Sequence, residues 1–270
     1  MAPTASAALL DESRLTRDQL DQFSRSGYLV LPGFLPARLV ERLRPEVDHW
    51  VDQGFRARSI ASCVDPARHG APPLMELELP AHGELIGHRP LLSLISQVME
   101  GDLVFHHLHS DRQAPDVPGK PWHHDFEQGV GTDRSSLMVH ALHYLDGLDP
   151  SVSSLAVLPG SHLKTAEKSA LADHGTSPLP GEVVIDSLPA GSTVLLHSAL
   201  FHARRPQPGG TGKPRYFVDA SYCSANTMWP PVKPYWRHML GRARELGLGD
   251  DVQWPELFAD RHFTEYSHGN

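Results

Sequence analysis

The sequence predicts a mainly β fold with flanking helices, whose core is a double-stranded β-helix, or jelly roll, over about residues 103–222. Short runs of β-forming residues recur between turn signals across that stretch, as in double-sheeted jelly rolls. Helical periodicity is confined to the parts of the chain before and after that stretch. With 270 residues the chain can form one large domain. We expect that domain to span residues 16–270, after a tail over residues 1–15 that has no periodic pattern.

The composition is that of an ordinary globular protein and argues against several classes of function. Hydrophobic residues make up 40% and charged residues 21% of the chain, both normal values. A net charge of −8, from 24 basic and 32 acidic residues, argues against nucleic acid as a partner. Two cysteines form no disulfide framework, and no apolar stretch suits a signal or membrane segment. We therefore expect a cytoplasmic protein that binds a small molecule, with no prediction of its oligomeric state.

The N-terminal part predicts helices and a strand in alternation. Thr16 and Gln19 match a capping box, and Gly27 stands where the helix that follows them should end. Tyr28–Leu31 is a short apolar strand before a Pro-Gly turn. Beyond Pro36, apolar residues recur at helical spacing and predict a second amphipathic helix.

The rest of the chain divides into an irregular segment, a helix, a series of strands and a second helix near the C terminus. Residues 54–87 are polar, interrupted by proline and poorly periodic, and they predict a loop region over the functional site. Residues 90–99 predict a helix, as do residues 235–246 near the C terminus. The predicted strands cover residues 103–109, 137–145, 155–158, 181–185, 192–197 and 216–222.

The run WHHD at residues 122–125 carries the most specific chemistry in the sequence. Side chains two apart on an extended segment point the same way, so His123 and Asp125 can reach one metal ion while His124 points elsewhere. Two imidazoles and one carboxylate on one face of a metal are typical of non-haem Fe(II) oxygenases, because the opposite face stays open. Two candidates for the second imidazole lie far along the chain: His197 and His202.

Four sequence blocks occur in the order and roughly the spacing of a known family. They are residues 18–51, PWHHD at residues 121–125, LAVLPGSH at residues 155–162, and residues 191–215. Together they resemble the phytanoyl-CoA dioxygenase family of Fe(II)/2-oxoglutarate oxygenases over residues 18–222. The resemblance implies Fe(II) as the metal, with 2-oxoglutarate and O₂ as co-substrates. It also implies which residues are the metal ligands and catalytic residues: His123, Asp125 and His202.

Two arginines are candidates for binding 2-oxoglutarate. Arg215 follows His202 by 13 positions, close to where the family has its 2-oxoglutarate arginine. A guanidinium group can hold a carboxylate through two parallel hydrogen bonds. Arg204 stands where relatives commonly have a small hydroxyl residue that helps to bind 2-oxoglutarate. Either a different set of residues holds the carboxylate here, with Arg204 among them, or Arg204 and Arg205 face an anionic substrate.

A group of histidines on one predicted strand is a third candidate for ligand binding. His107 and His109 are two apart, so they share a face of the strand at residues 103–109. His109 could line the core near the co-substrate. A second metal site that also uses His106, and histidines with a purely structural role, are the alternatives.

These assignments predict an oxygenase that hydroxylates a C–H bond, or carries out a related oxidative step, and releases succinate and CO₂. Halogenases that resemble the family have a small residue in place of the carboxylate ligand, so Asp125 predicts oxygenation instead. The excess of arginine over lysine is typical of GC-rich bacterial genomes. We expect a small bacterial metabolite of specialised (natural-product) biosynthesis as substrate. A fatty acyl-CoA hydroxylase, a jelly-roll protein that binds metal without turnover, and a zinc enzyme are the alternatives.

Overall fold

The computed structural model describes residues 14–115, 117–128, 135–206 and 212–267; all but the last two residues of the predicted tail lie outside these ranges. The α-helices are α1 (Arg17–Ser26), α2 (Ala37–Asp52), α3 (Phe55–Val64), α4 (Pro66–His69), α5 (Pro80–Ile86), α6 (Arg89–Met99) and α7 (Trp236–Glu245). The strands are β1 (Tyr28–Leu31), β2 (Leu103–Gln113), β3 (Lys120–His123), β4 (Met138–Tyr144), β5 (Leu155–Val157), β6 (Val183–Ile185), β7 (Ser192–His197), β8 (His202–Arg204) and β9 (Arg215–Ser224). None of the described helices combines the length and the apolar character needed to cross a membrane.

Two antiparallel sheets form the centre of the molecule, which confirms the predicted mainly β fold with flanking helices. The major sheet has the strand order β1-β7-β4-β9-β2, and the minor sheet has the order β3-β8-β5-β6. From β2 to β5 and again from β6 to β9, consecutive strands alternate between the two sheets, as in a jelly roll. Strand β1 lies outside the predicted core range of residues 103–222, yet it forms one edge of the major sheet by pairing with β7.

The first helix begins and ends where the sequence predicts, because local interactions define both ends. Thr16 Oγ1 accepts a hydrogen bond from the Gln19 backbone at 3.2 Å, and Gln19 Oε1 accepts one from the Thr16 backbone at 2.8 Å. This reciprocal pair is the predicted capping box. Gly27 ends the helix with φ 80°, a left-handed conformation that favours glycine.

The loop predicted over residues 54–87 is wrong, since three short helices, α3, α4 and α5, and a 3₁₀ turn fill this segment. These helices bury few apolar side chains; Phe55 of α3, for example, packs against Trp50 of α2, as does Leu79 just before α5. The Glu46 carboxylate of α2 accepts hydrogen bonds from the first backbone N–H groups of α5. Helices this short are stabilised by tertiary packing instead of a long apolar stripe, so the sequence shows no helical periodicity.

Replacing Gly27 with alanine should destabilise the protein more than the same change at Gly54. Both glycines have positive φ, 80° and 60°, and an alanine in that conformation lowers the stability of the folded protein by about 1–2 kcal/mol. A Cβ at Gly27 would lie 2.6 Å from His162 Nδ1, whereas one at Gly54 meets nothing within 4 Å. The clash should therefore add about 1–3 kcal/mol to the loss of stability at Gly27. Urea unfolding of Gly27→Ala and Gly54→Ala measures the difference; equal losses would contradict the steric argument.

Candidate active site

The pocket that contains the predicted site residues lies between the two sheets. Residues two apart on a strand point to the same side, and the pocket-facing side chains of the major sheet follow this rule. The cavity has a volume of about 430 Å³. Its wall from β4 and β9 consists of His140, Leu142, Tyr144, Arg215, Phe217 and Asp219.

A β-bulge in β2 turns the histidines of that strand towards the pocket. Phe105 pairs with Tyr222 and His107 pairs with Ser221, so His106 is an extra residue on β2. A bulge re-aims the side chains that follow it. Phe105 therefore packs in the hydrophobic core, while His107 and His109 both line the pocket. His109 thus lines the same cavity as His123, Asp125 and His202.

The structure brings His123, Asp125 and His202 together, although about 80 residues separate them along the chain. His123 on β3 pairs with His202 on β8, and their ring centroids are 4.2 Å apart. Asp125 Oδ1 lies 3.6 Å from His123 Nε2, and Asp125 Oδ2 lies 3.2 Å from His202 Nε2. Two nitrogens and one carboxylate oxygen thus converge as a potential metal site.

Backbone carbonyls orient both imidazoles for metal binding. His123 Nδ1 lies 2.7 Å from the Pro121 carbonyl, and His202 Nδ1 lies 3.0 Å from the Leu200 carbonyl. A carbonyl only accepts, so each Nδ1 donates its proton, and each Nε2, on the side of Asp125, is the nitrogen that can bind a metal. Burial, reinforced by the nearby His202, lowers the pKa of His123 to about 3. His123 is therefore neutral at physiological pH, as a metal ligand must be.

The Asp125 carboxyl is ionised in this setting. Burial alone would raise its pKa, but the hydrogen bond with His202 and the charges of His202 and Lys120 hold the pKa well below its ordinary value. Lys120 Nζ lies 3.9 Å from Asp125 Oδ1. The cluster thus offers one carboxylate and two imidazole nitrogens, a donor set that suits Fe(II).

Three other histidines near the predicted site lie outside the cluster. His124 turns away, as predicted, and its Nε2 lies 3.0 Å from the Ala166 carbonyl. His197, the rival candidate, accepts a hydrogen bond from the Ala199 backbone and packs against Phe23. The His162 ring packs against the His197 ring in a tilted arrangement, with 4.8 Å between ring centroids. Of the two candidates for the distant ligand, only His202 reaches His123 and Asp125.

Arg215 and Arg204 face the pocket without a carboxylate partner. Arg215 is 6% exposed, and its guanidinium donates to Tyr144 Oη at 3.2 Å and to the Ser153 carbonyl at 3.3 Å. Arg204 donates to the Pro118 carbonyl at 2.7 Å. Among the described residues, no carboxylate oxygen lies within 4.0 Å of either guanidinium. One buried and one half-buried cation with no carboxylate partner in the described part of the chain form a site for an anion.

Arg205 does not face the pocket, so the predicted alternative in which it meets an anionic substrate is wrong. Its guanidinium forms a salt bridge with Glu182 and lies 5.5 Å from the centre of the Trp122 ring. Successive residues of an extended chain point to opposite sides. Arg204 follows His202 on the pocket side of β8, and Arg205 therefore turns to the outer side.

Several pocket residues were missed by the sequence reasoning: Tyr144, His140, Asp219 and Lys233. Tyr144 and His140 share the parity of Leu142 within a predicted strand, and Asp219 shares that of Arg215. This alternation could have identified them once the inner face of each strand was known. Lys233 lies in an irregular segment before α7, where no periodic signal exists.

The profile of the phytanoyl-CoA dioxygenase family matches residues 23–207, more than half of the chain. The chain belongs to this family. Phytanoyl-CoA dioxygenase family proteins are Fe(II)/2-oxoglutarate-dependent enzymes that use O₂. The predicted family, enzyme class and cofactors are thereby confirmed. No curated protein has a sequence that matches this chain.

Solved structures of similar proteins share the fold of this family member. SnoN, a non-haem α-ketoglutarate-dependent epimerase from nogalamycin biosynthesis, has a TM-score of 0.58 and 17% identity, over 82% of this chain and 84% of SnoN. HygX from Streptomyces hygroscopicus with nickel and 2-oxoglutarate bound has a TM-score of 0.59 and 22% identity, over 80% and 90% of the chains. EctD from S. alaskensis with 2-oxoglutarate and 5-hydroxyectoine has a TM-score of 0.58 and 18% identity, over 80% and 78%.

Replacing His202 with alanine should abolish tight Fe(II) binding, because the cluster then retains only two of its three ligands. His197→Gln is the matched control, since His197 is a similarly buried histidine outside the cluster. We expect about one Fe(II) per chain in wild type and in His197→Gln, and little in His202→Ala. Anaerobic loading followed by metal analysis measures this. Iron retained by His202→Ala and lost from His197→Gln would transfer the ligand role to His197.

Proposed function

We propose that this enzyme oxidises a C–H bond of a small metabolite, by hydroxylation or a related step, and converts 2-oxoglutarate and O₂ to succinate and CO₂. His123, Asp125 and His202 would hold Fe(II), and Arg215 with Arg204 would hold 2-oxoglutarate. One observation carries the proposal: the His-Asp-His cluster shares a pocket with two guanidinium groups that have no carboxylate partner among the described residues. A metal ligand set and a dicarboxylate site are thus adjacent.

The three ligands leave part of the metal's coordination open for the co-substrates. Bound Fe(II) and 2-oxoglutarate supply the oxidising chemistry, and the protein supplies binding and orientation. The Pro121 and Leu200 carbonyls orient the rings of His123 and His202. The Asp125 carboxylate offsets part of the metal's charge. The fixed geometry of these ligands determines which face of the metal a substrate can approach.

The arginine side of the pocket is arranged to hold the distal carboxylate of 2-oxoglutarate. Tyr144 Oη accepts a hydrogen bond from Arg215 at 3.2 Å, and its ring lies beneath that guanidinium at 5.0 Å. Burial raises the pKa of Tyr144, so its hydroxyl stays protonated and can also donate to a bound carboxylate. Burial and the nearby Arg215 lower the pKa of Arg204, and a carboxylate between the two cations would relieve their repulsion.

The pocket favours a small substrate over a fatty acyl-CoA. A volume of about 430 Å³ has to contain 2-oxoglutarate as well as the substrate. Leu142, Leu155 and Phe217 provide the apolar wall that keeps water from the reacting C–H bond. SnoN comes from nogalamycin biosynthesis, and its similar fold supports a role in natural-product biosynthesis for this enzyme too.

Arg215→Lys should raise the KM for 2-oxoglutarate by about 10- to 100-fold, because the two parallel hydrogen bonds of the guanidinium are lost. Arg205→Lys is the control, since Arg205 faces away from the pocket and lysine can keep the ion pair with Glu182. Succinate formation at varied 2-oxoglutarate concentration measures both variants. An unchanged KM in Arg215→Lys would assign the carboxylate to other residues.

The reaction itself can be tested before the substrate is known. Wild-type protein loaded with Fe(II) and 2-oxoglutarate should release succinate only after O₂ is admitted, and a collection of small bacterial metabolites should contain compounds that accelerate the release. Asp125→Ala removes the anionic ligand and should abolish both effects. The absence of O₂-dependent succinate from metal-loaded, folded wild type would overturn the proposed function.

A further inference from the structure

The end of the pocket remote from Arg215 holds polar side chains for which the proposed function has no role. We call them the distal cluster: His107 on β2, His140 on β4, Asp219 on β9, and Lys233 before α7. Residues rise about 3.3 Å each along a strand, so Asp219 lies about 13 Å from Arg215 along β9. A five-carbon dicarboxylate held at Arg215 is shorter than that distance. The distal cluster is therefore available to the substrate.

A hydrogen-bond relay determines the protonation of His107. His106 Nε2 lies 3.0 Å from the Pro230 carbonyl, which only accepts, so Nε2 of His106 carries the proton and its Nδ1 accepts. His107 Nδ1 lies 2.8 Å from that acceptor and 2.8 Å from Ser221 Oγ, and must donate. Burial lowers the pKa of His107 well below its ordinary value. Its Nε2 is thus a lone-pair acceptor on a neutral ring.

His140 and Asp219 form a buried pair that leaves one donor unused. His140 Nδ1 lies 3.0 Å and 2.9 Å from the two carboxylate oxygens of Asp219. Burial on its own would lower the pKa of His140, but the Asp219 charge outweighs it and the pKa is raised. The ring is 2% exposed, and its Nε2 has no hydrogen-bond partner among the described residues. A buried donor without a partner costs free energy until a ligand accepts from it.

Lys233 adds a positive charge that has no ion-pair partner among the described residues. The side chain is half-buried and lines the pocket, and within the described part of the chain no carboxylate oxygen lies within 4.0 Å of its ammonium group. Glu127, the other acid at this end, is paired with Lys168 at 2.7 Å. Asp219 is already paired with His140, so the Lys233 charge remains for a ligand.

We propose that Lys233 and the Nε2–H of His140 bind an anionic oxygen group of the substrate, such as a carboxylate, and that His107 Nε2 accepts from an adjacent hydroxyl or amino group. This inference rests on the proposed function and adds a substrate class to it: a small polar acid with a hydrogen-bond donor beside its acid group. Bound in this way, the substrate has its polar end at the distal cluster and its carbon skeleton towards His123 and His202.

A divalent cation is the other ligand that two imidazoles and a carboxylate could bind. It would have to displace the proton between His140 and Asp219 and would lie in a region that already contains the Lys233 charge. Coulomb repulsion in a buried site of low dielectric disfavours that arrangement. The charge of the cluster thus favours an anion, and the number of metal ions per chain separates the two ligands.

Bromide is a suitable probe, because it is an anion that anomalous X-ray scattering locates without a known substrate. Crystals of wild-type protein with Ni(II) and 2-oxoglutarate, soaked in sodium bromide, should show bromide in contact with Lys233 Nζ and His140 Nε2. Lys233→Met should lose this bromide, and Lys233→Arg should keep it because the charge is retained. Lys164→Met, at an exposed lysine, is the matched control and should keep it.

The outcomes distinguish this inference from the proposed function. If 2-oxoglutarate occupies Arg215 but no bromide binds at Lys233, the distal cluster is not an anion site and the inference fails alone. Bromide that persists in Lys233→Met is an adventitious ion only, which also overturns it. A titration that ends at two Ni(II) per chain, with the second lost in Asp219→Asn, would make the cluster a metal site. If 2-oxoglutarate does not bind at Arg215, the proposed function itself is wrong.

Discussion

The pairing of β9 with β2 on one side and with β4 on the other is the constraint on which the pocket depends. All three strands present alternate residues to the cavity, and the registers place Asp219 opposite His109 and Leu142. Because side chains alternate with a period of two, a slip of one residue would turn Arg215 and Asp219 out of the pocket together. The bulge at His106 changes which side chains of β2 face the pocket and leaves the pocket-facing side chains of β9 unchanged.

The pocket combines several polar groups that no described residue neutralises. Arg204 and Arg215 are cations without a carboxylate partner among the described residues, and the ligand atoms of His123, Asp125 and His202 converge within 4.8 Å of one another. Such groups lower the stability of the folded protein until ligands bind them. Metal and dicarboxylate binding should therefore stabilise the fold, because each binds the native state alone. Ligand binding and folding are thus coupled through the same buried charges.

Features that depend only on neighbouring residues could be predicted from the amino-acid sequence. The spacing of His123 and Asp125 on an extended segment puts both on one side without any long-range information. The capping box at Thr16 and the left-handed Gly27 are likewise complete within a few residues. Short runs of β-forming residues between turn signals predicted the two-sheeted fold, because strand propensity and turn chemistry are both local properties of the sequence.

Features that depend on contacts between distant strands became known only from the folded structure. His202 meets His123 and His197 does not, because β8 pairs with β3 while His197 is buried against α1. Arg204 faces the pocket and Arg205 faces Trp122. The sequence predicts that the two side chains point to opposite sides of the strand, but the packing of the two sheets determines which side is the pocket. The helices of residues 54–87 had no periodic signal, because packing against α2 stabilises them. Local geometry is encoded in short stretches of sequence, whereas a pocket wall requires the registers of several strands at once.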